Sequence, residues 1–232
     1  MELVLEKRPK NVYIIEGFPG FGLVATIATE YLINHLDADQ IGKIIVEETS
    51  PVVAVHSGHV IEPVGIFYAK KYNLVILHVL SSITGLEWQM SKKIEELAKE
   101  LNAKEIICIE GVGSISGENN AYYISEKNEK KFANKTKIKK LDEGIIMGVT
   151  GSLILNKSLP ISCIFAETAS NLPDSRAASK IIEVLDRYLD LKVDPKPLLK
   201  KASEFEAKIN DLLRKSKAAS VQKQRKELSY LG

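Results

Sequence analysis

Val12-Tyr13-Ile14-Ile15-Glu16-Gly17-Phe18-Pro19-Gly20-Phe21-Gly22 decides how this chain is built. Its first half is a short apolar run of the kind that forms a strand covered on both faces. Its second half is a glycine-rich turn that opens directly into a helix. In that helix Val24, Ile27, Ala28, Tyr31, Leu32, His35 and Leu36 fall on one stripe at helical period. A buried strand, a tight turn and an amphipathic helix make the first half of a βαβ unit.

The same grammar recurs outward from this stretch. Residues 74–80 are continuously apolar, and a helix over about 86–101 follows, with Met90, Ile94, Leu97, Ala98 and Leu101 inward. Residues 106–109 and 161–166 read as further buried strands; 41–46, 52–55 and 61–68 are strand-like. Pro173-Asp174 opens a helix that buries Ala177, Ile181, Leu185 and Leu189, with Asp174 as its cap. Residues 144–151 read as another return to the core, and 114–142 as a charged surface excursion with a turn at Gly117-Glu118-Asn119-Asn120. Strands alternating with helices predict an α/β domain over 1–194, its sheet largely parallel with helices on both faces. The strands beginning near Val12, Leu74, Ile106 and Ile161 should be central.

Composition narrows the function. The 232 residues are 45% apolar and 27% charged, enough for one domain with a full core, and net charge is +2. Such a balance gives no strong electrostatic reason to seek nucleic acid or membrane. The N-terminus lacks the apolar core of a signal peptide, and no apolar run approaches the roughly 20 residues that span a bilayer. Cys108 and Cys163 lie in strand-like runs and read first as buried free thiols of a reducing compartment and second as a disulfide, so a cytoplasmic protein is expected.

After Asp194-Pro195-Lys196-Pro197 the character changes. Leu198, Ala202, Phe205, Ile209 and Leu212 are spaced four, three, four and three, a two-heptad apolar seam. A helix over 195–216 could use it against its own domain or as an oligomer contact through Leu198, Phe205, Ile209 and Leu212. Between residues 196 and 227 ten Lys or Arg face four acidic residues. Residues 217–232 read as a mobile basic tail whose tip is apolar: Leu228, Tyr230 and Leu231 before Gly232.

Candidate chemistry is sparse. The 17–22 turn sits at a helix N-terminus, where free N–H groups and the helix dipole can hold an anion. It carries neither the dinucleotide fingerprint nor the Gly-Lys-Ser/Thr of a phosphate loop. Gly17, Phe18, Pro19, Gly20 and Gly22 therefore read first as a packing turn and second as an anion loop. His56 and His59 lack further ligands, and no metal is expected. His35, on the inner helical stripe, and His78, inside an apolar run, read as core histidines. Glu110 and Glu167 close apolar strands and suit either acid–base work or backbone capping. Trp88 reads as packing before partner binding. No nucleophile elbow, zincin motif or cysteine-nucleophile signature occurs, so neither an enzyme nor a cofactor is expected.

The order of these features resembles one family. Glu16-Gly17-Phe18-Pro19-Gly20-Phe21-Gly22-Leu23-Val24-Ala25 is similar to the opening signature of the archaeal and bacterial proteasome assembly chaperone family. The resemblance continues through Glu62-Pro63, Glu110-Gly111-Val112-Gly113, the glycines of 144–151 before Leu153-Ile154-Leu155, and Leu172-Pro173-Asp174 with Ala177-Ala178. Val193-Asp194 closes it, so roughly residues 10–215 are covered. It implies a three-layer α/β/α fold similar to nucleoside phosphorylases, with a largely parallel or mixed sheet. It further implies a homo-oligomer, or assembly with a paralogous partner, that docks on the α-ring of the proteasome core particle as assembly chaperone or activator.

Family members use a C-terminal hydrophobic–Tyr–any motif whose ring and terminal carboxylate enter pockets between proteasome α subunits. Here Leu228, Tyr230, Leu231 and Gly232 are the matching candidates, with Tyr230 third from the end and Leu231 in the usual tyrosine position. A tether with an apolar tip and a free carboxylate has the parts of a linear motif, and oligomerisation would multiply its contacts. The alternative that the resemblance carries is a nucleotide- or anion-binding enzyme of ATP-grasp or phosphorylase-like type.

Overall fold

In the computed structural model the apolar run at Tyr13 becomes the middle strand of a nine-stranded sheet. The structure describes residues 1–49, 53–56, 59–113, 119–156, 159–168, 172–200 and positions 204, 208, 209, 211 and 214. The chain runs β1 (Glu2–Leu5), β2 (Tyr13–Gly17), α1 (Val24–His35), β3 (Asp39–Ile45), β4 (Ala54–His56), β5 (His59–Ile61), β6 (Val64–Ala69) and β7 (Leu74–Val79). Then come α2 (Glu87–Glu100), β8 (Glu105–Gly113), β9 (Ala121–Ser125), α3 (Glu129–Thr136), β10 (Lys139–Lys140), α4 (Gly148–Leu155), β11 (Ile161–Thr168), α5 (Ser175–Leu189) and α6 (Lys196–Lys200).

The strand order is β1-β3-β6-β7-β2-β8-β11-β9-β10, with β4 and β5 apart as a two-stranded hairpin. The inner four, β7, β2, β8 and β11, are parallel. They are the four strands the apolar runs single out, because only strands shielded on both faces can be apolar throughout. The wings are antiparallel: β6, β3 and β1 on one side and β9 on the other, with β10 parallel to β9. The sheet is mixed.

Side-chain alternation along the strands makes two cores. On one face Ile15, Ile76, Ile107, Ile109 and Ile164 pack against α1 and α5. On the other Ile14, Val75, Leu77, Ile106 and Phe165 pack against Met90, Ile94 and Leu97 of α2 and Val149 and Leu153 of α4. Each such side chain contributes about 1.5–3 kcal/mol by leaving water. The result is the three-layer α/β/α arrangement. Asp174 caps α5 as expected, accepting from the N–H groups of Arg176 and Ala177 at 3.0 Å each.

Three expectations need correction. The excursion over 114–142 contains β9 and α3, which belong to the core: β9 pairs with β11, and Phe132 of α3 packs between Tyr123 and Tyr188. The stretch 144–151 returns to the core only at Val149 and Thr150, which are buried. Ile145 and Met147 are 91% and 75% exposed, and α4 begins at Gly148, whose φ of 73° turns the chain into the helix. His35 is exposed at the end of α1 and stacks on Tyr31, because the buried stripe ends at Leu32.

Beyond α5 the chain stays attached to the α1–α5 layer. Leu198 and Ile209 are both buried within that core. The Tyr31 hydroxyl donates to the Asp194 carbonyl at 2.8 Å, and Lys208 pairs with Glu30. Phe205, Leu212 and the tip residues Leu228, Tyr230, Leu231 and Gly232 lie outside the described residues.

Candidate functional site

Strand order fixes where a ligand would sit in this sheet. The connection leaving β2 runs through α1 towards the β1 edge, whereas the one leaving β8 runs towards the β10 edge. The carboxyl ends of β2 and β8 therefore flank the topological switch point, the usual crevice for ligands in open α/β sheets.

The 17–22 turn closes that crevice on the α1 side. A Cβ at Gly111, in β8, would lie 2.1 Å from the Phe21 carbonyl oxygen, so the turn's backbone sits directly on the strand. A Cβ at Gly22, whose φ is 62°, would lie 2.7 Å from the Thr168 hydroxyl of β11, and one at Gly17 2.9 Å from Ala25 Cβ. The Asp174 N–H donates to the Gly22 carbonyl at 2.9 Å, and the Thr168 hydroxyl donates to the Asp174 carboxylate at 2.8 Å. Gly20 has no such constraint; its nearest neighbour is 3.9 Å away. Two of the turn's glycines, with Gly111 beneath, thus serve close packing.

On the opposite face of the same strand ends lies a pair of carboxyl groups. Glu16 of β2 is fully buried, and its Oε1 accepts from the Thr150 hydroxyl of α4 at 3.3 Å. Its Oε2 has no hydrogen-bond partner. Burial pushes Glu16 up to about 8; hydrogen bonds with Cys108 and Thr150 oppose the rise and the nearby Glu110 adds to it. Glu110 of β8, half-buried, is raised by burial to about 7, with its own hydrogen bond to Thr150 opposing. At neutral pH the pair therefore holds at least one proton. The pair lies beneath the first turn of α4, and Glu110 is its partly exposed member.

Glu167 does not join this pair. It is buried, accepts from the Asn120 N–H and the Tyr122 hydroxyl at 3.3 Å each, and lies two residues beyond the register partner of Glu110. Glu16 is the group the sequence reading passes over, since a glutamate just before a glycine turn looks like a solvated strand end. Its signal was the position: it continues the apolar alternation of Val12 and Ile14.

His78 is a hydrogen-bonded core histidine. Its Nδ1 is 2.8 Å from the Thr29 hydroxyl, and its Nε2 is 3.3 Å from Glu30 Oε2. Burial holds it below its ordinary value, against the pull of Glu30. His56 and His59 are register partners in the β4–β5 hairpin, and among the described residues no three metal-binding side chains gather. Cys108 and Cys163 are buried free thiols on paired positions of β8 and β11.

Trp88 departs from the packing role. It is 59% exposed and forms one wall of a groove of about 390 Å³ between α2 and α4. Met147 and Leu155, 75% and 69% exposed, line the same groove, and Gly148 and Gly151 form part of its lining.

Three comparisons place the chain. Residues 14–213 match the sequence profile of the PAC2 family. The chain is 30% identical to PbaA of Pyrococcus furiosus, an archaeal homolog of proteasome-assembly chaperone, and superposes on it with a TM-score of 0.82 over 94% of this chain and 98% of that one. PbaB of the same organism, an archaeal proteasome activator, has the same fold at 21% identity, with a TM-score of 0.75 over 91% of this chain and 98% of its own. An uncharacterized protein of Methanocaldococcus jannaschii is 26% identical over 209 residues, 88% of this chain and 86% of its own length. With its profile match spanning nearly all of the folded part, this chain belongs to the PAC2 family.

Proposed function

We propose that this protein is a cytoplasmic binding protein that docks on the α-ring of the proteasome core particle, acting as an assembly chaperone or an activator. The observation that carries the reading is the 30% identity with PbaA over almost the whole of both chains. Docking is assigned to the C-terminal tip: Tyr230 is the anchor, Leu228 and Leu231 add apolar contact, and the Gly232 carboxylate is the charge contact. A homo-oligomer presents several tips at once, so weak contacts combine through effective concentration.

A nucleotide- or anion-binding enzyme draws less support. Such a site would need the N–H groups of the 17–22 turn, and that turn is packed against Gly111 and Thr168. The deciding experiment is co-purification of the chain with proteasome α subunits, with and without residues 230–232. Retained α subunits that disappear on truncation are expected. Equal retention by the truncated chain would move partner recognition to the globular face.

A further inference from the structure

We propose that His78 and Lys208 compete for the single negative charge of Glu30, so that a proton taken up by His78 loosens the C-terminal arm. The three groups come from separate parts of the chain: Glu30 from α1, His78 from β7 and Lys208 from the stretch beyond α6. Glu30 Oε2 lies 3.3 Å from His78 Nε2, and Glu30 Oε1 pairs with the Lys208 ammonium. The side chains of His78, Glu30 and Lys208 are 2%, 14% and 25% exposed, so solvent ions screen the trio poorly. Leu198 and Ile209, buried in the α1–α5 core, anchor the same arm from which Lys208 reaches in. Among the described residues no other charged side chain acts on the imidazole. Its strand neighbours are Gly17 of β2 and Gly65 of β6, Phe67 meets it edge-on with ring centres 6.3 Å apart, and Thr29 of α1 is its hydroxyl partner.

Thr29 Oγ1 carries one hydrogen and lies 2.9 Å from the Ala25 carbonyl, 3.1 Å from that of Thr26 and 2.8 Å from His78 Nδ1. Given to a helix carbonyl, as threonines within helices do, that hydrogen leaves Nδ1–H to donate to Thr29. Nε2 is then a bare lone pair, buried, with no hydrogen bond of its own and 3.3 Å from a carboxylate oxygen. A proton there turns two facing acceptors into an imidazolium–carboxylate pair.

Glu30 cannot balance two cations. With Lys208 seated the carboxylate is already neutralised, and a second positive charge beside it stays unpaired in a poorly hydrated site. With Lys208 withdrawn, the imidazolium takes over its role. Burial holds His78 below its ordinary value; Glu30 opposes that, and Lys208 reinforces it. Seating the arm therefore lowers the proton affinity of His78, and by reciprocity a proton on His78 weakens the seating of the arm. The sign follows: seating is full above the ordinary histidine value of 6.5 and weakens as pH falls below it.

Hydrogen exchange of the full chain, read by mass spectrometry and scaled to the rate of an unstructured peptide at the same pH, tests this. Protection over residues 204–214 should fall about tenfold between pH 7.5 and 5, the change that a one-unit difference in histidine affinity produces. Protection of α1 and β7 should hold over the same range. In His78→Gln, which takes up no proton, the fall in the arm should vanish. Lys208→Gln, at a partly exposed position, supplies the reciprocal test: the His78 ring, followed by NMR, should titrate about one pH unit higher than in the unmodified chain. A His78 titration that Lys208→Gln leaves in place would overturn the competition. So would arm protection that is equal at both pH values, or that falls as much in His78→Gln. Protection lost from α1 and β7 along with the arm would mean that acid unfolds the whole domain, and would overturn it too. No proteasome enters these measurements, so their outcome is separate from that of the docking reading.

Discussion

Glu16 sets a pH dependence whose sign follows from its burial. In the unfolded chain its carboxyl titrates near 4.5, and in the fold at about 8. Between those values the folded state holds a proton that the unfolded state has released. Stability is therefore full below about 4.5 and falls as pH rises towards 8, by up to about 1.4 kcal/mol per pH unit for one group. Glu16→Gln, neutral at every pH and similar in shape, should flatten that slope. Urea unfolding between pH 4 and 8.5 should give unfolding free energies that converge at the acid end and separate by a few kcal/mol at the basic end. Parallel curves would mean that Glu16 is ionised in the fold.

The glycines give a second test at this scale. Gly111→Ala drives a methyl against the Phe21 carbonyl and should cost more than about 3 kcal/mol, beyond the ordinary range of single substitutions. Gly20→Ala, with nothing closer than 3.9 Å, should stay within about 0.5 kcal/mol. Thermal melts of the two variants separate a packing turn from one kept bare for a ligand: an anion loop would tolerate neither change in binding, whatever their stabilities.

At the scale of elements, the cap of α5 makes a local prediction. Asp174→Ala removes the acceptor of two N–H groups and of the Thr168 hydroxyl, and should lower stability by about 1–2 kcal/mol, readable as a lower denaturation midpoint. This helix was legible in the sequence because cap, period and length agreed. So were β7, β8 and β11, whose continuous apolar runs fit strands covered on both faces. The missed elements failed for physical reasons. β9 is five residues long and buries only Ala121, Tyr123 and Ser125, and α3 buries only Phe132 and Thr136, so both are drowned by charged neighbours. The 144–151 stretch misled in the other direction, since Ile145 and Met147 are apolar but exposed. The carboxyl pair was half-legible: Glu110 stood out as a strand end, whereas its nearness to Glu16 depends on pairing β2 beside β8, which no local pattern encodes.

For the whole molecule the question is where the folded unit stops and the proposed docking tip begins. Leu198 and Ile209 are buried in the α1–α5 core, Asp194 accepts from Tyr31, and Lys208 pairs with Glu30, which in turn faces the buried His78. Removing residues 195–232 would expose that core and leave the His78–Glu30 pair without its lysine. Such a truncation should lose several kcal/mol, with two large apolar side chains unburied at about 1.5–3 kcal/mol each. Ending the chain after Arg214 removes none of these contacts and should leave the melting temperature within a degree or two. If the tip is the docking element, the two truncations part company in binding as well: the chain ending at Arg214 should fold fully yet fail to retain proteasome α subunits. Full retention by that chain would place docking on the folded unit. A large drop in its melting temperature would instead show that the residues beyond Arg214 are part of the fold.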